Sequence, residues 1–170
     1  VAYRVTDHVD HDLEAIERKI DRGVRVVYLT SPSNPGGRAL DAAPFERFLA
    51  RLPSHVTVIV DEAYGDFATR EEVVRAASCT AWCDQLIVLR SFSKLHGLAG
   101  LRIGYAIAAP SAARVLARIA PLFPLGHGAG DAAAAAVSDH ATREIIARRA
   151  KLERTLDERG IARLHSDAPF

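Results

Sequence analysis

The 170-residue sequence is poor in cysteine and in aromatic residues, and it contains no methionine. Its two cysteines, Cys79 and Cys83, are too few for a disulfide framework, so we expect a reducing, cytoplasmic compartment. No paired set of histidine or acidic ligands accompanies them in the sequence, and we therefore predict no metal site.

Neither sign of charge dominates the sequence, and no apolar stretch is long. Lysine and arginine total 22 against 21 acidic residues, which excludes the strong positive field that is typical of nucleic-acid binding. The alanine-rich run over residues 132–137 is too short to cross a membrane. We therefore expect a small molecule as the partner, rather than a nucleic acid or a membrane.

Apolar strands alternate with amphipathic helices along the sequence. The predicted strands cover residues 24–30, 56–61, 86–90 and 103–108. The predicted helices cover residues 10–22, 41–52, 70–77, 112–120, 129–138 and 142–159, and an extended segment follows over residues 161–165. This alternation predicts a mostly parallel α/β sheet with covered faces. The connection before the last strand holds little helix, so that strand is expected to run antiparallel.

Lys94 follows the third predicted strand in the run Ser91-Phe92-Ser93-Lys94, and Arg102 lies eight residues further on. A lysine at the end of a buried strand, beside two hydroxyls and an arginine, suits a phosphorylated aldehyde cofactor. The lysine amine can form a Schiff base with the aldehyde. The hydroxyls of Ser91 and Ser93 and the guanidinium of Arg102 can hold the phosphate.

Polar residues also follow the first two predicted strands, as Asn34-Pro35-Gly36-Gly37 and as Asp61-Glu62-Ala63-Tyr64. Open α/β sheets bind their ligands at the carboxyl ends of parallel strands. Taken singly, each of these residues has an ordinary explanation as a turn, a cap or a surface charge. Three such segments in one order favour a single shared site.

Together the three segments resemble the class I and II aminotransferases of the fold-type I pyridoxal-phosphate enzymes, and within them the histidinol-phosphate aminotransferase branch. The resemblance implies pyridoxal 5'-phosphate as the cofactor, in the three-layer α/β/α large domain of that family. It implies that Lys94 carries the Schiff base, and that Asp61 keeps the ring nitrogen protonated. It also implies that Asn34 and Tyr64 hydrogen-bond the phenolic oxygen of the ring. The implied reaction is transamination between an amino acid or amine, such as histidinol phosphate, and a 2-oxo acid.

The resemblance further implies two domains and a partner subunit. Residues 1–140 are expected to belong to the large domain, and residues 141–170 to form a connecting helix and the start of a small α+β domain. Residues 166–170 resemble the Ser-x-Ala-Asn-Phe element of that small domain, with Pro169 in place of asparagine. We expect the chain to be the central piece of a longer homodimeric enzyme and to be inactive alone.

Alternatives to transamination remain open at the level of the sequence. The same cofactor residues serve lyases, decarboxylases and cyclases, because the reaction depends on which substrate bond stands perpendicular to the ring. Residues 120–128 depart from the histidinol-phosphate pattern, which leaves the substrate open. Some transcription regulators use an aminotransferase-like module as a ligand sensor, and a basic helix-turn-helix segment ahead of Val1 would favour that class.

Overall fold

The computed structural model describes residues 10–137 and 139–170, with a four-stranded sheet at its centre. The strands are β1 (Val26–Thr30), β2 (Thr57–Asp61), β3 (Leu86–Ser91) and β4 (Gly104–Ala108). They lie in the order β1-β2-β3-β4; β1, β2 and β3 are parallel, and β4 runs antiparallel to β3. The predicted α/β fold, with its mostly parallel sheet and reversed last strand, is confirmed.

Helices connect and follow these strands. They are α1 (Leu13–Glu17), α2 (Ala42–Ala50), α3 (Ala76–Cys79), α4 (Pro110–Ile119), α5 (Ala129–Ala136) and α6 (Asp139–Glu158). Short 3₁₀ turns lie at Gly65–Phe67 and Ala99–Leu101. Within the described ranges, no helix combines the length and the apolar character that a membrane span requires.

The helix predicted over residues 70–77 is wrong, since only its last two residues belong to α3. The side chain of Arg70 instead donates hydrogen bonds to Asp41 and Asp167, and Val73 forms an isolated β-bridge with Asp41. These long-range contacts hold the part of the segment before α3 in a non-helical conformation. Tertiary contacts thus override the local helical pattern.

Two other predicted segments also differ from the structure. The helix expected over residues 10–22 begins at its Asp12 cap and stops at Glu17. It stops early because the carboxylate of Asp21 accepts hydrogen bonds from the backbone N–H groups of Gly23 and Val24, which favours a turn. Residues 161–165 form no strand.

The core lies on one face of the sheet. Alternate strand residues point into it, and α2 contributes the apolar face that the sequence predicts; the buried set includes Val27, Leu29, Val58, Val60, Leu86, Val88, Phe45, Phe48 and Leu49. Parallel crossovers share one hand, so helices that follow strands in one direction across a sheet collect on one face. On the opposite face, Val26 and Tyr28 are about half exposed.

The topology gathers several chain segments at one edge of the sheet. Asp61 at the end of β2 lies opposite Thr30 of β1 and Leu89 of β3. Because β4 runs the other way, its first residue, Gly104, lies opposite Ser91. The residues just before β4 therefore meet those that follow the parallel strands.

Candidate active site

A cleft of about 430 Å³ opens at this edge of the sheet. Its lining includes five of the seven residues that the sequence predicts for the cofactor: Asp61, Ser91, Ser93, Lys94 and Arg102. The cleft therefore holds the amine, the carboxylate and the candidate phosphate-binding groups together.

Lys94 stands on a turn that leaves the end of β3. The hydroxyl oxygen of Ser91 accepts a hydrogen bond of 3.0 Å from the backbone N–H of Ser93, which starts the turn. The Lys94 side chain is exposed, and its Nζ lies 5.1 Å from the centroid of the Tyr64 ring. This cation–π contact holds the amine beside the Tyr64 ring and leaves it exposed to solvent.

Both carboxylate oxygens of Asp61 accept a hydrogen bond. Oδ1 accepts from the backbone N–H of Ala63 at 3.0 Å, and Oδ2 accepts from the hydroxyl of Tyr28 at 2.5 Å. An ionised carboxylate offers about four acceptor positions, so two such bonds leave room for a further donor. A protonated ring nitrogen is a donor that fits this need.

Tyr28 is a site residue that the sequence did not reveal. Its pKa is raised to about 12, chiefly by the hydrogen bond to Asp61, with burial and the charge of Asp61 adding to the effect. Tyr28 lies opposite Ile59 in the parallel register, so Asp61 is its diagonal neighbour. Aromatic side chains reach such diagonal positions. The alternation of strand faces would have indicated the contact had the register been known.

We expect an alkaline titration of phenolate absorbance to show a late step near pH 12 that Tyr28→Phe removes. Because the folded pKa lies above the ordinary value of 10.0, the stabilisation is complete below pH 10 and is lost as the pH rises through about 12. Tyr105→Phe, which removes a half-exposed tyrosine from β4, should leave the late step in place. A step that survives in Tyr28→Phe while circular dichroism shows a folded chain would contradict the assignment.

Tyr64 contacts Lys94, which lines the cleft, whereas Asn34 lies apart from the cleft lining. Tyr64 precedes the turn Gly65–Phe67, and the ring of Phe170 meets its ring edge-on with centroids 5.3 Å apart. Asn34 is exposed on the turn after β1, which closes through a 2.8 Å hydrogen bond from the N–H of Gly37 to the carbonyl of Ser33. Within the described residues, the structure gives Asn34 no contact with the cleft residues.

Arg102 lies at the mouth of the cleft in an unusual backbone conformation. Its φ angle is 54°, in the left-handed region, and its guanidinium donates to the carbonyl of Ala99 at 2.8 Å. For a non-glycine residue this conformation costs about 1 kcal/mol or more, and such outliers cluster at ligand sites. The guanidinium is exposed and bound to a carbonyl, which leaves other N–H groups for an anion.

Beneath these groups, Arg90 lines the cleft and is paired with acids. Its guanidinium contacts Glu62 at 2.6 Å and Asp66 at 2.8 Å. Glu62 is only 3% exposed; burial raises its pKa, while the charge of Arg90 and its hydrogen bond act in the opposite direction. The positive charge of Arg90 is therefore largely balanced inside the protein. The exposed guanidinium of Arg102 is better placed to meet an added phosphate.

The chemistry of the lining fits a pyridoxal-phosphate site. It combines an amine, a carboxylate held by two donors, two hydroxyls and an exposed guanidinium in one cleft. Among the described residues, no group of three or more histidine, cysteine and acidic side chains could hold a metal ion. The amine, the carboxylate, the hydroxyls and the guanidinium of the lining suit an organic cofactor that carries a phosphate.

An α/β sheet with a lysine, a carboxylate and phosphate-binding groups at its carboxyl edge is the arrangement expected of a fold-type I pyridoxal-phosphate enzyme. A model of the family "Aminotransferase class I and II" matches residues 1–170, and the chain belongs to this family. Within the family it resembles the histidinol-phosphate aminotransferases, as the sequence motifs predicted.

Two comparisons illustrate that resemblance. The chain is 40% identical over 154 residues to histidinol-phosphate aminotransferase 2 of Pseudomonas aeruginosa, a match that covers 91% of this chain and 40% of the relative. The crystal structure of the Sinorhizobium meliloti histidinol-phosphate aminotransferase in complex with pyridoxal-5'-phosphate matches with a TM-score of 0.86 and 30% identity. That match covers 99% of this chain and 47% of the other.

The fold is also shared with an enzyme of another reaction class. L-threonine-O-3-phosphate decarboxylase from Porphyromonas gingivalis matches with a TM-score of 0.58 and 27% identity, covering 78% of this chain and 38% of that one. The chain spans less than half the length of the P. aeruginosa relative and of both solved structures. The fold alone therefore does not define the reaction.

Proposed function

We propose that the protein is a pyridoxal-phosphate-dependent aminotransferase. It would transfer an amino group between an amino acid or amine, such as histidinol phosphate, and a 2-oxo acid. The observation that carries the proposal is the cleft that holds Lys94 and Asp61 together with Ser91, Ser93 and Arg102. The names of the P. aeruginosa and S. meliloti relatives support the substrate class. When bound, the cofactor supplies an electron sink for the bonds at the substrate's amino-bearing carbon.

Lys94 supplies the reactive amine in this proposal. Its Nζ would hold the cofactor through the aldehyde group, and as a free amine it would carry a proton away from the substrate carbon. Both tasks need an amine that can reach more than one atom. The exposed side chain, held by the Tyr64 ring rather than by a buried ion pair, allows that movement.

Asp61 holds the proton on the ring nitrogen. The hydroxyl of Tyr28 and the N–H of Ala63 both donate to the carboxylate, which fixes its plane. An ionised carboxylate beside the ring favours the protonated nitrogen. Tyr28 acts here as a positioning residue.

The phosphate is assigned to the loop that precedes and follows Lys94. The hydroxyl oxygen of Ser91 already accepts the N–H of Ser93, so the Ser91 hydroxyl hydrogen remains available to donate to a phosphate oxygen. Ser93 and Arg102 complete the set of donors. The phenolic oxygen of the ring is assigned to Asn34 and Tyr64, which lie on the turns after β1 and β2.

We also propose that residues 1–140 belong to the large domain and residues 141–170 to the connecting helix and the start of the small domain. A homodimer is proposed as the active assembly. The segment after α4 supports it, because Leu122 and Phe123 are 87% and 86% exposed, and exposed apolar side chains of this kind mark interfaces. Cys79 and Cys83 are buried free thiols, in keeping with a reducing, cytoplasmic compartment.

An assay for amine exchange tests the reaction. We expect the complete protein to transfer the amino group of histidinol phosphate, or of another amine, to a 2-oxo acid, with no release of carbon dioxide. Omitting the 2-oxo acid should limit conversion to about one equivalent of enzyme, since the amino group then stays on the cofactor. Release of carbon dioxide from an amino acid substrate, without amine transfer, would instead establish the decarboxylase alternative.

A further inference from the structure

A buried carboxylate near the end of the chain has no part in the proposed chemistry. Asp167 is 1% exposed, and Arg70 binds it through two nitrogen atoms of its guanidinium. Nε donates to Oδ1 at 2.9 Å, and Nη2 donates to Oδ2 at 3.0 Å. The backbone N–H of Ala39 also donates to Oδ2 at 2.9 Å, and Nε2 of His165 lies 3.4 Å from Oδ1. A buried charge is retained only where partners of this quality compensate for lost hydration.

The charge state of this carboxylate follows from its partners. Burial disfavours the ionised form, but the hydrogen bonds from Arg70 and Ala39 and the charge of Arg70 outweigh it, so the pKa of Asp167 lies below its usual range. Arg70 is in turn bound by Asp41 at 2.9 Å. The pair is therefore a fixed ionic contact at neutral pH, joining residues that are 97 positions apart.

This ion pair presses the segment 166–170 against the turn that carries Asn34. The N–H of Asp167 donates to the carbonyl of Gly37 at 2.7 Å. A Cβ atom at Gly37 would lie 2.4 Å from the hydroxyl oxygen of Ser166, so the side chain of Ser166 packs against Gly37 and leaves no room for a side chain there. Asn34 lies three residues before this contact. The turn that carries Asn34 is therefore held by the segment 166–170, which is not part of the sheet.

The same segment also reaches Tyr64. The ring of Phe170 meets the Tyr64 ring edge-on at 5.3 Å, a favourable aromatic geometry. Arg149 of α6 donates to the carbonyls of Phe67 and Ala168, both at 3.1 Å, and so ties the segment to the turn that follows Tyr64. The segment consequently touches both turns that carry the proposed ligands of the phenolic oxygen.

We propose that the Arg70–Asp167 ion pair is a latch that positions Asn34 and Tyr64 for the cofactor. It seats the segment 166–170 on the Gly37 turn and beside the Tyr64 ring, and so couples the proposed small-domain segment to the cofactor site. Arg70 and Asp167 are positioning residues and touch no reacting atom. The inference rests on the proposed function, because it concerns residues assigned to that cofactor.

The test compares Arg70→Gln and Asp167→Asn with the unchanged complete protein, loaded with pyridoxal phosphate. Donors to the phenolic oxygen stabilise its negative charge and weaken its hold on the proton of the lysine–cofactor linkage. Loosening Asn34 and Tyr64 should therefore raise the pH midpoint of the cofactor's visible absorbance change by about half a unit or more. The dissociation constant of the cofactor should rise about tenfold, the effect of losing one or two hydrogen bonds.

Three further variants separate positioning from folding. Phe170→Leu removes the edge contact with Tyr64 at a half-exposed residue, so the chain should stay folded while the midpoint moves in the same direction by a smaller amount. Asp157→Asn breaks another two-point arginine–aspartate contact, with Arg163 at 3.0 Å, far along α6. It should leave both readouts unchanged. Arg70→Lys, which keeps the charge and loses the fork, should give intermediate values.

The outcomes are distinct. Folded Arg70→Gln, Asp167→Asn and Phe170→Leu proteins with an unchanged midpoint and affinity would overturn the latch and leave the pair a purely structural contact. If Arg70→Gln and Asp167→Asn fail to fold, the Phe170→Leu midpoint decides alone: a rise supports the latch, and no change overturns it. An unchanged protein that binds no pyridoxal phosphate would refute the proposed function itself.

Discussion

Lys94→Ala is expected to abolish the visible absorbance that arises when pyridoxal phosphate is bonded to the protein, and to reduce amine transfer about 10³-fold or more. The linkage forms when the lysine nitrogen attacks the aldehyde carbon and water leaves. Alanine offers neither that nitrogen nor a group that could move the substrate proton. The measurement is an absorbance spectrum of the complete protein with added cofactor, together with the rate of amine exchange.

The chain offers close controls for this result, because it contains only three lysines: Lys19, Lys94 and Lys151. Lys151→Arg alters an exposed position on α6 and should leave the spectrum and the rate unchanged. Lys19→Arg should do the same, since residue 19 follows α1, away from the carboxyl edge of the sheet. A Lys94→Ala protein that keeps the visible band would remove the basis of the proposed function.

Asp61→Asn is expected to reduce amine transfer about 10²- to 10³-fold, comparable to the loss of one preorganised electrostatic group from an active site. Asparagine can still accept one of the two hydrogen bonds from Ala63 and Tyr28 through its single side-chain oxygen, and its NH2 group can donate to the hydroxyl oxygen of Tyr28. It cannot balance a positive charge on the ring nitrogen, so the ring becomes a poorer electron sink. The rate of amine exchange and the cofactor's dissociation constant measure the two consequences separately.

Asp66→Asn is the matched control for this variant. Asp66 lies on the turn after Tyr64 and contacts Arg90 rather than the open part of the cleft. Its replacement removes the same charge at a short distance along the chain, and we expect the rate to change less than about threefold, as for an exposed ion pair. Equal rates for Asp61→Asn and the unchanged protein would show that Asp61 does not serve the ring nitrogen.

The sequence was most informative where several signals coincided. Asp61 ends an apolar strand and Asn34 and Lys94 each follow one, and strand ends in an α/β sheet share one edge. The alternation of strands and helices predicted the parallel sheet, which the structure confirms, and the polar strand ends led us to predict a shared site at its carboxyl edge. The last strand's direction was also predictable, because the connection over residues 91–102 contains little helix.

Contacts that depend on register or on distant segments could not be predicted in the same way. Tyr28 reaches Asp61 only because β1 and β2 align as they do, and no local pattern states that alignment. Arg70 and Asp167 are 97 positions apart, and each alone is an ordinary surface charge in a sequence. The same contact explains the wrong helix at residues 70–77, since Arg70 is drawn to Asp167 instead of joining a helix.

Reduction of the loaded protein with borohydride, followed by peptide mapping, identifies the amine that bonds to the cofactor. Reduction converts the carbon–nitrogen double bond to a stable single bond, and trypsin then cannot cut at the modified lysine. We predict one modified peptide, residues 91–102, with the added mass on Lys94. A label on Lys19 or Lys151 instead, or no label in a protein that gives the visible band, would contradict the assignment of Lys94.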